Sequence, residues 1–168
     1  RSLWPDWASR LREHGGVDPE YLRCGMLVLD VESRDAALRW CAEQGEAVAA
    51  LPASLANLAG PGNEPVWLPE VAQARNPRVM QALREAALRA GVVIQEHTPA
   101  SRWRVEGNRV VGVETHAGLY SADSVLVTAG AWSGDLLAPI GQAPVIAPVR
   151  GQILLFKAEP GLLTCVVY

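Results

Sequence analysis

SADSVLVTAGAWSGDLL, residues 121–137, sets three apolar residues, Val125, Leu126 and Val127, directly before a run of small ones. The apolar triplet predicts a buried strand. Ala129 and Gly130 then strip the side chains from a turn, and Ala131 to Leu137 resume a helical pattern. A strand that passes into a helix through small residues has two uses: it lets elements pack closely, or it lets backbone approach a flat or anionic cofactor. The stretch alone does not choose between them.

The flanking residues narrow the choice. Asn76 and Pro77 predict a helix start as N-cap and first-turn proline. Val79, Met80, Leu83, Ala86, Ala87 and Ala90 then fall on one face until Gly91 closes the helix. Val92 to Gln95 read as a short apolar strand. Residues 101–106 and 109–115 alternate around Gly107-Asn108, a dipeptide that tolerates positive φ, and Ala117-Gly118 turns the chain into Leu119-Tyr120-Ser121. The predicted order is therefore helix, strand, three-stranded meander, strand, tight turn, helix. It resembles the second half of the two-dinucleotide-binding flavoprotein fold, in which a meander bridges two parallel strands of the FAD domain and the last strand ends in a motif like Thr128-Ala129-Gly130.

Longer stretches narrow the resemblance further. Residues 91–141, followed by PVIAPVRGQILLFKA at 144–158, are similar to the glycine oxidase and D-amino acid oxidase (DAO) family of FAD enzymes, which includes the bacterial glycine oxidases of thiamine synthesis. RCGMLVLD at 23–30 and VAQARNPRVMQALREAA at 71–87 resemble the same family. The resemblance implies an α/β fold holding part of an FAD-binding domain, interleaved with part of an antiparallel-sheet substrate domain. Residues 1–70 and 144–168 would belong to the substrate part and 71–143 to the FAD part. It also implies FAD contact at Thr128, Ala129, Gly130, Ala131 and Trp132, and adenine contact through the backbone of Ala100. The implied chemistry is hydride transfer from the α-carbon of an amino acid or amine to flavin, with water hydrolysing the imino product. Arg150, in the RGQ strand of the resemblance, reads equally as a substrate contact or as a structural ion pair. Gly151 would let that strand pass close to another group.

The sequence also departs from the family. No GxGxxG turn for the FAD pyrophosphate occurs between Arg1 and Tyr168, and the segments that follow the RGQ strand in the family are missing. With Arg1 rather than methionine at its start, the chain is expected to be an internal excerpt of a longer flavoenzyme. Its partners would be the remaining segments of that chain and a small amino acid or amine; a homo-oligomer is compatible with this. Two other functions stay open at this stage: a dehydrogenase of glycerol phosphate type, and a non-catalytic flavoprotein-like binding module.

Composition removes several classes. The chain has 168 residues, is 49% hydrophobic and carries a net charge of −3, so it can bury a core but offers no basic field for nucleic acid. No apolar run approaches the roughly 20 residues of a membrane helix. Cys24, Cys41 and Cys165 are odd in number and widely spaced, which fits reduced, buried thiols and a cytoplasmic setting, or a membrane-peripheral one for a dehydrogenase. His14, His97 and His116 lack metal-ligand spacing, so no metal is expected. Ser133-Gly134 is in the wrong frame for a nucleophile elbow.

Upstream, a helix is expected over Leu3–Glu13 with Leu3, Trp7 and Leu11 inward, ended by Gly15-Gly16, and a strand over Gly25–Asp30. Ser33 would cap a second helix with Ala36, Ala37, Trp40 and Cys41 inward and Gly45 at its end. A short helix over Ala53–Leu58 and a strand about Val66-Trp67-Leu68 complete the pattern. Of the six tryptophans, Trp4, Trp7 and Trp40 read as core or interface, whereas Trp132 adjoins the cofactor turn.

Overall fold

The computed structural model describes residues 3–29, 33–62, 64–159 and 161–168. The chain divides into two compact units, Arg1–Val93 with Lys157–Tyr168, and Ile94–Phe156.

The first unit opens with α1, Trp4–Gly15, which has proline in its first turn and Gly16 at its C-cap in the left-handed region (φ 69°), where the Gly16 N–H bonds to Arg12 O. Its buried stripe is Ala8, Leu11 and Gly15, not the expected Leu3, Trp7 and Leu11, of which Leu3 and Trp7 are exposed. The partner explains the rotation. Against α1 packs α4, Asn76–Arg89, through Ala82, which is fully buried. The two helices approach so closely that a Cβ on Gly15 would overlap the Ala82 carbonyl. Small residues therefore decide this contact. The larger side chains expected inward on α4 lie outside it: Met80 is 64% exposed, Leu83 is exposed, and Leu83 and Ala87 line an open cleft with Trp7 and Leu11. Arg75, rather than Asn76, occupies the N-cap of α4, and Gly91 beyond it has φ 82°. The loop after α1 is held by ion pairs from Glu20, itself at φ 54°, to Arg75 and Arg78 at 3.4 and 3.3 Å.

The same unit holds two small sheets. β1 (Leu22–Arg23) pairs antiparallel with β4 (Ala72–Gln73). β2 (Met26–Val28) lies between β3 (Val66–Leu68), antiparallel to it, and β8 (Val166–Val167), parallel to it. The expected end of the β2 strand, Asp30, lies outside the described residues. Alternation along β2 and β3 sorts the core onto both faces of the sheet. Leu27 and Trp67 join Leu55 and Cys165 on one face. Val66 and Leu68 join Cys41 of α2, Arg34–Gln44, on the other. Ser33 caps α2 as expected, its hydroxyl accepting the Ala36 N–H at 3.3 Å, and Gly45 ends it at φ 67°. Cys41 is buried and Ala37 partly so, but Ala36 is exposed and Trp40 is 54% exposed. A four-residue α3, Ala56–Ala59, continues the 3-10 turn Ala53–Leu55 that supplies Leu55 to the core.

The second unit is the expected meander, β5 (Arg102–Glu106), β6 (Arg109–Thr115) and β7 (Gly118–Ser121), in that spatial order. Gly107 at φ 60° closes the first hairpin, the first-position glycine of a II′ turn. The second turn lies one residue earlier than expected, at His116-Ala117. Thr115 Oγ1 accepts the Ala117 N–H and donates to Gly118 O, both at 3.0 Å.

Three expected strands are absent. Residues 92–95, 125–127 and 150–152 carry no strand pairing, and Leu126, expected in a buried strand, is 85% exposed. An apolar run becomes a strand only when neighbours accept and donate its backbone hydrogen bonds. Among the described residues no strand lies beside these three. The two units cut the chain at different places from the expected functional division, which concerns what each segment binds rather than how it packs.

Candidate functional site

The turn at Thr128–Trp132 has a defined backbone. Ala129 sits at φ −79°, ψ 10°, and Gly130 at φ 57°, the left-handed region where a Cβ is strained. A 3-10 turn, Gly130–Trp132, follows, closed by Trp132 N to Ala129 O at 3.1 Å, and passes into α5, Ser133–Leu137. The small residues allow this tight succession.

The surface of the turn is open. A Cβ built on Gly130 would meet no atom within 4 Å. Thr128, Gly130 and Ala131 are exposed, Ala129 is half-buried, and the Trp132 ring is 73% exposed. Packing against this chain's own residues therefore does not account for glycine at 130, whereas its left-handed φ does. Open space beside small residues and an uncovered indole fit the close approach of a flat nucleotide.

The other expected site residues lie apart from this turn in sequence. Ala100 is half-buried and directly precedes Ser101, whose N–H and hydroxyl both donate to Glu114 O, at 2.8 and 2.9 Å, fixing the start of the meander. Before it, His97 takes φ 56° and Thr98 Oγ1 donates to Glu96 O at 3.0 Å. No local signal around residue 97 anticipates a left-handed histidine. Arg150 and Gly151 are exposed in a stretch without secondary structure, and nothing lies within 4 Å of a Cβ on Gly151. The expected close passage at Gly151 is thus not made by the described residues.

One residue that sequence reasoning passed over joins the meander to the turn region. Trp103 Nε1 donates to Leu136 O in α5 at 2.6 Å. The available signal was a tryptophan in a strand otherwise alternating with arginine, Arg102 to Arg104.

Elsewhere, burial first and the neighbouring Cys24 second push the Cys165 thiol up from its ordinary value. Among the described residues no group of acidic, histidine or cysteine side chains is placed to hold a metal ion. No helix among them is long and apolar enough to cross a membrane.

Comparison with known proteins gives consistent results. Residues 1–166 match the DAO family of FAD dependent oxidoreductases. The chain is 35% identical to a glycine oxidase of Pseudomonas aeruginosa, over 97% of this chain and 46% of that protein. It is 36% identical to a glycine oxidase of Pseudomonas putida, over 99% of this chain and 47% of that protein. A crystal structure of glycine oxidase from Bacillus cereus superposes with a TM-score of 0.70 at 26% identity, covering 82% of this chain and 41% of that one. The chain spans about half the length of these relatives.

Proposed function

The chain belongs to the DAO family of FAD dependent oxidoreductases, and on that premise we propose that the whole protein oxidises the C–N bond of a small amino acid or amine, glycine being the first candidate. The observation that carries the reading is the turn at Thr128–Trp132, where a left-handed glycine leaves its outer side open. In this reading the backbone of residues 128–131 lies against FAD, the Trp132 ring covers part of it, and Ala100 meets the adenine through its N–H and C=O. FAD, when bound, supplies the acceptor for the hydride that leaves the substrate α-carbon. The chain's own contribution is to place and shield. Residues 71–143 hold the cofactor, and residues 1–70 and 144–168 build the substrate side, with Arg150 available to an anionic substrate group or to a structural partner. Reduced thiols at Cys24, Cys41 and Cys165 suit a cytoplasmic setting.

The whole protein, purified and denatured to release its cofactor, is expected to yield FAD. Hydrogen peroxide release or dye reduction is expected with glycine, sarcosine or a D-amino acid. Release of no flavin, or turnover of glycerol 3-phosphate alone, would overturn the proposal.

A further inference from the structure

The proposed cofactor turn is held from its flanks rather than from within. On its N-terminal side, Ala122 N bonds to Val111 O at 3.0 Å, and Arg109 Nη2 donates to Asp123 O at 3.0 Å, so β6 and the residue that opens it fix the chain leaving β7. Residues 124–129 are in no strand, and the bond from Trp132 N to Ala129 O is internal to the turn. On the C-terminal side, the bond from Trp103 Nε1 to Leu136 O joins α5 to the meander. It takes a carbonyl from the last turn of a short helix, where carbonyls lack intrahelical partners. The indole stands in a cross-strand row, Trp103 opposite Val113 and Val113 opposite Tyr120, so its ring is backed by the sheet. An aromatic side chain with two rotatable angles, half-buried against strands, is a stiff strut.

We propose that Trp103 is a positioning residue for the cofactor: its indole N–H, by holding Leu136 O, fixes α5 and with it the turn Thr128–Trp132 at the distance from the meander that FAD requires. This rests on the reading of that turn as an FAD contact. Trp103 touches neither substrate nor reacting atoms in this role. It acts through backbone geometry, where displacements of about 1 Å are enough to weaken a preorganised site.

Two substitutions in the whole protein separate the hydrogen bond from the packing. Trp103→Phe keeps an aromatic ring and loses the donor. Trp103→His loses the benzene half of the indole, but its imidazole overlays the remaining five-membered ring and can place an Nε2–H where Nε1–H stood. Apoprotein is prepared by stripping the flavin, its melting is recorded, and FAD is titrated back by fluorescence quenching. The expected pattern is crossed. Trp103→Phe melts slightly below wild type, having lost one intramolecular hydrogen bond, and binds FAD about tenfold more weakly because α5 and the turn are no longer held in place for it, with an altered shape of the visible flavin band. Trp103→His melts lower and binds FAD within about threefold of wild type, since its donor is retained. FAD affinity that follows melting temperature across the two variants, or equal affinity in wild type and Trp103→Phe, would overturn the role of Trp103 alone. A wild-type protein that binds no FAD would overturn the cofactor reading and this inference together.

Discussion

Gly130 offers the sharpest separation of conformational from contact effects. Its φ of 57° lies where a non-glycine residue costs about 1–2 kcal/mol. The open space around its Cβ position means that no steric term within this chain adds to that. Gly130→Ala therefore carries the backbone cost, partly offset by about 0.4–1 kcal/mol of lost freedom in the unfolded chain. Its net effect on apoprotein stability is under about 1.5 kcal/mol. Gly130→Asn carries less, because asparagine visits the left-handed region more readily than alanine. If glycine were present for φ alone, Gly130→Asn would bind FAD like wild type. If the backbone lies against the nucleotide, the asparagine side chain occupies the same space and FAD affinity falls by more than about tenfold, over 1.4 kcal/mol, while the apoprotein melts near wild type. Differential scanning calorimetry on the apoprotein and flavin titration of the same preparation, both with the whole protein, read the two quantities. Unchanged FAD affinity in Gly130→Asn would refute the contact reasoning.

Gly25→Ala is expected to be far more disruptive than any change at Gly130: Gly25 sits at φ 74° and a Cβ there would run into the Trp67 ring, so strain and overpacking together cost about 3 kcal/mol or more, measurable by urea denaturation. Under native conditions iodoacetamide should modify the partly exposed Cys24 first, with buried Cys41 and Cys165 reacting only on unfolding; mass spectrometry that found Cys165 labelled ahead of Cys24 would contradict the packing. The Glu20 N–H hydrogen bond first, and Arg12 at 2.8 Å as a further attraction, hold the Asp18 carboxyl below its ordinary value. Because the folded value is the lower one, the stabilisation is present above the unfolded value of about 3.9 and is lost as pH falls through the folded value. The stability gap between wild type and Asp18→Asn should therefore close on acidification, and a gap that persisted at the acid end would count against the pairing.

The family, the helices and the meander were readable from the chain itself, because their signals are local; the strands expected at 92–95, 125–127 and 150–152 were not formed. Ser33 before an apolar helical stripe, Gly16 and Gly45 after the last turns, and Gly107 in a two-residue hairpin each act through the conformation of a few neighbouring residues, and each stands as expected. The small-residue turn at Thr128–Trp132 was legible for the same reason, and the left-handed φ of Gly130 is what the structure adds to it.

Tertiary structure alone decided which faces those elements bury. Hydrophobic periodicity favoured Trp7 and Met80, yet the contact between α1 and α4 selects Gly15 and Ala82, since the closest approach of two helices is set by the smallest side chains. The same holds for strands. Val125 to Val127 have the composition of a buried strand, but strand formation is a property of a pair, and no partner stands beside them among the described residues. The parallel seat of β8 beside β2 and the bond from Trp103 to Leu136 join residues distant in sequence. Local propensity carries no information about such pairings, because their energy exists only once the chain has folded back on itself.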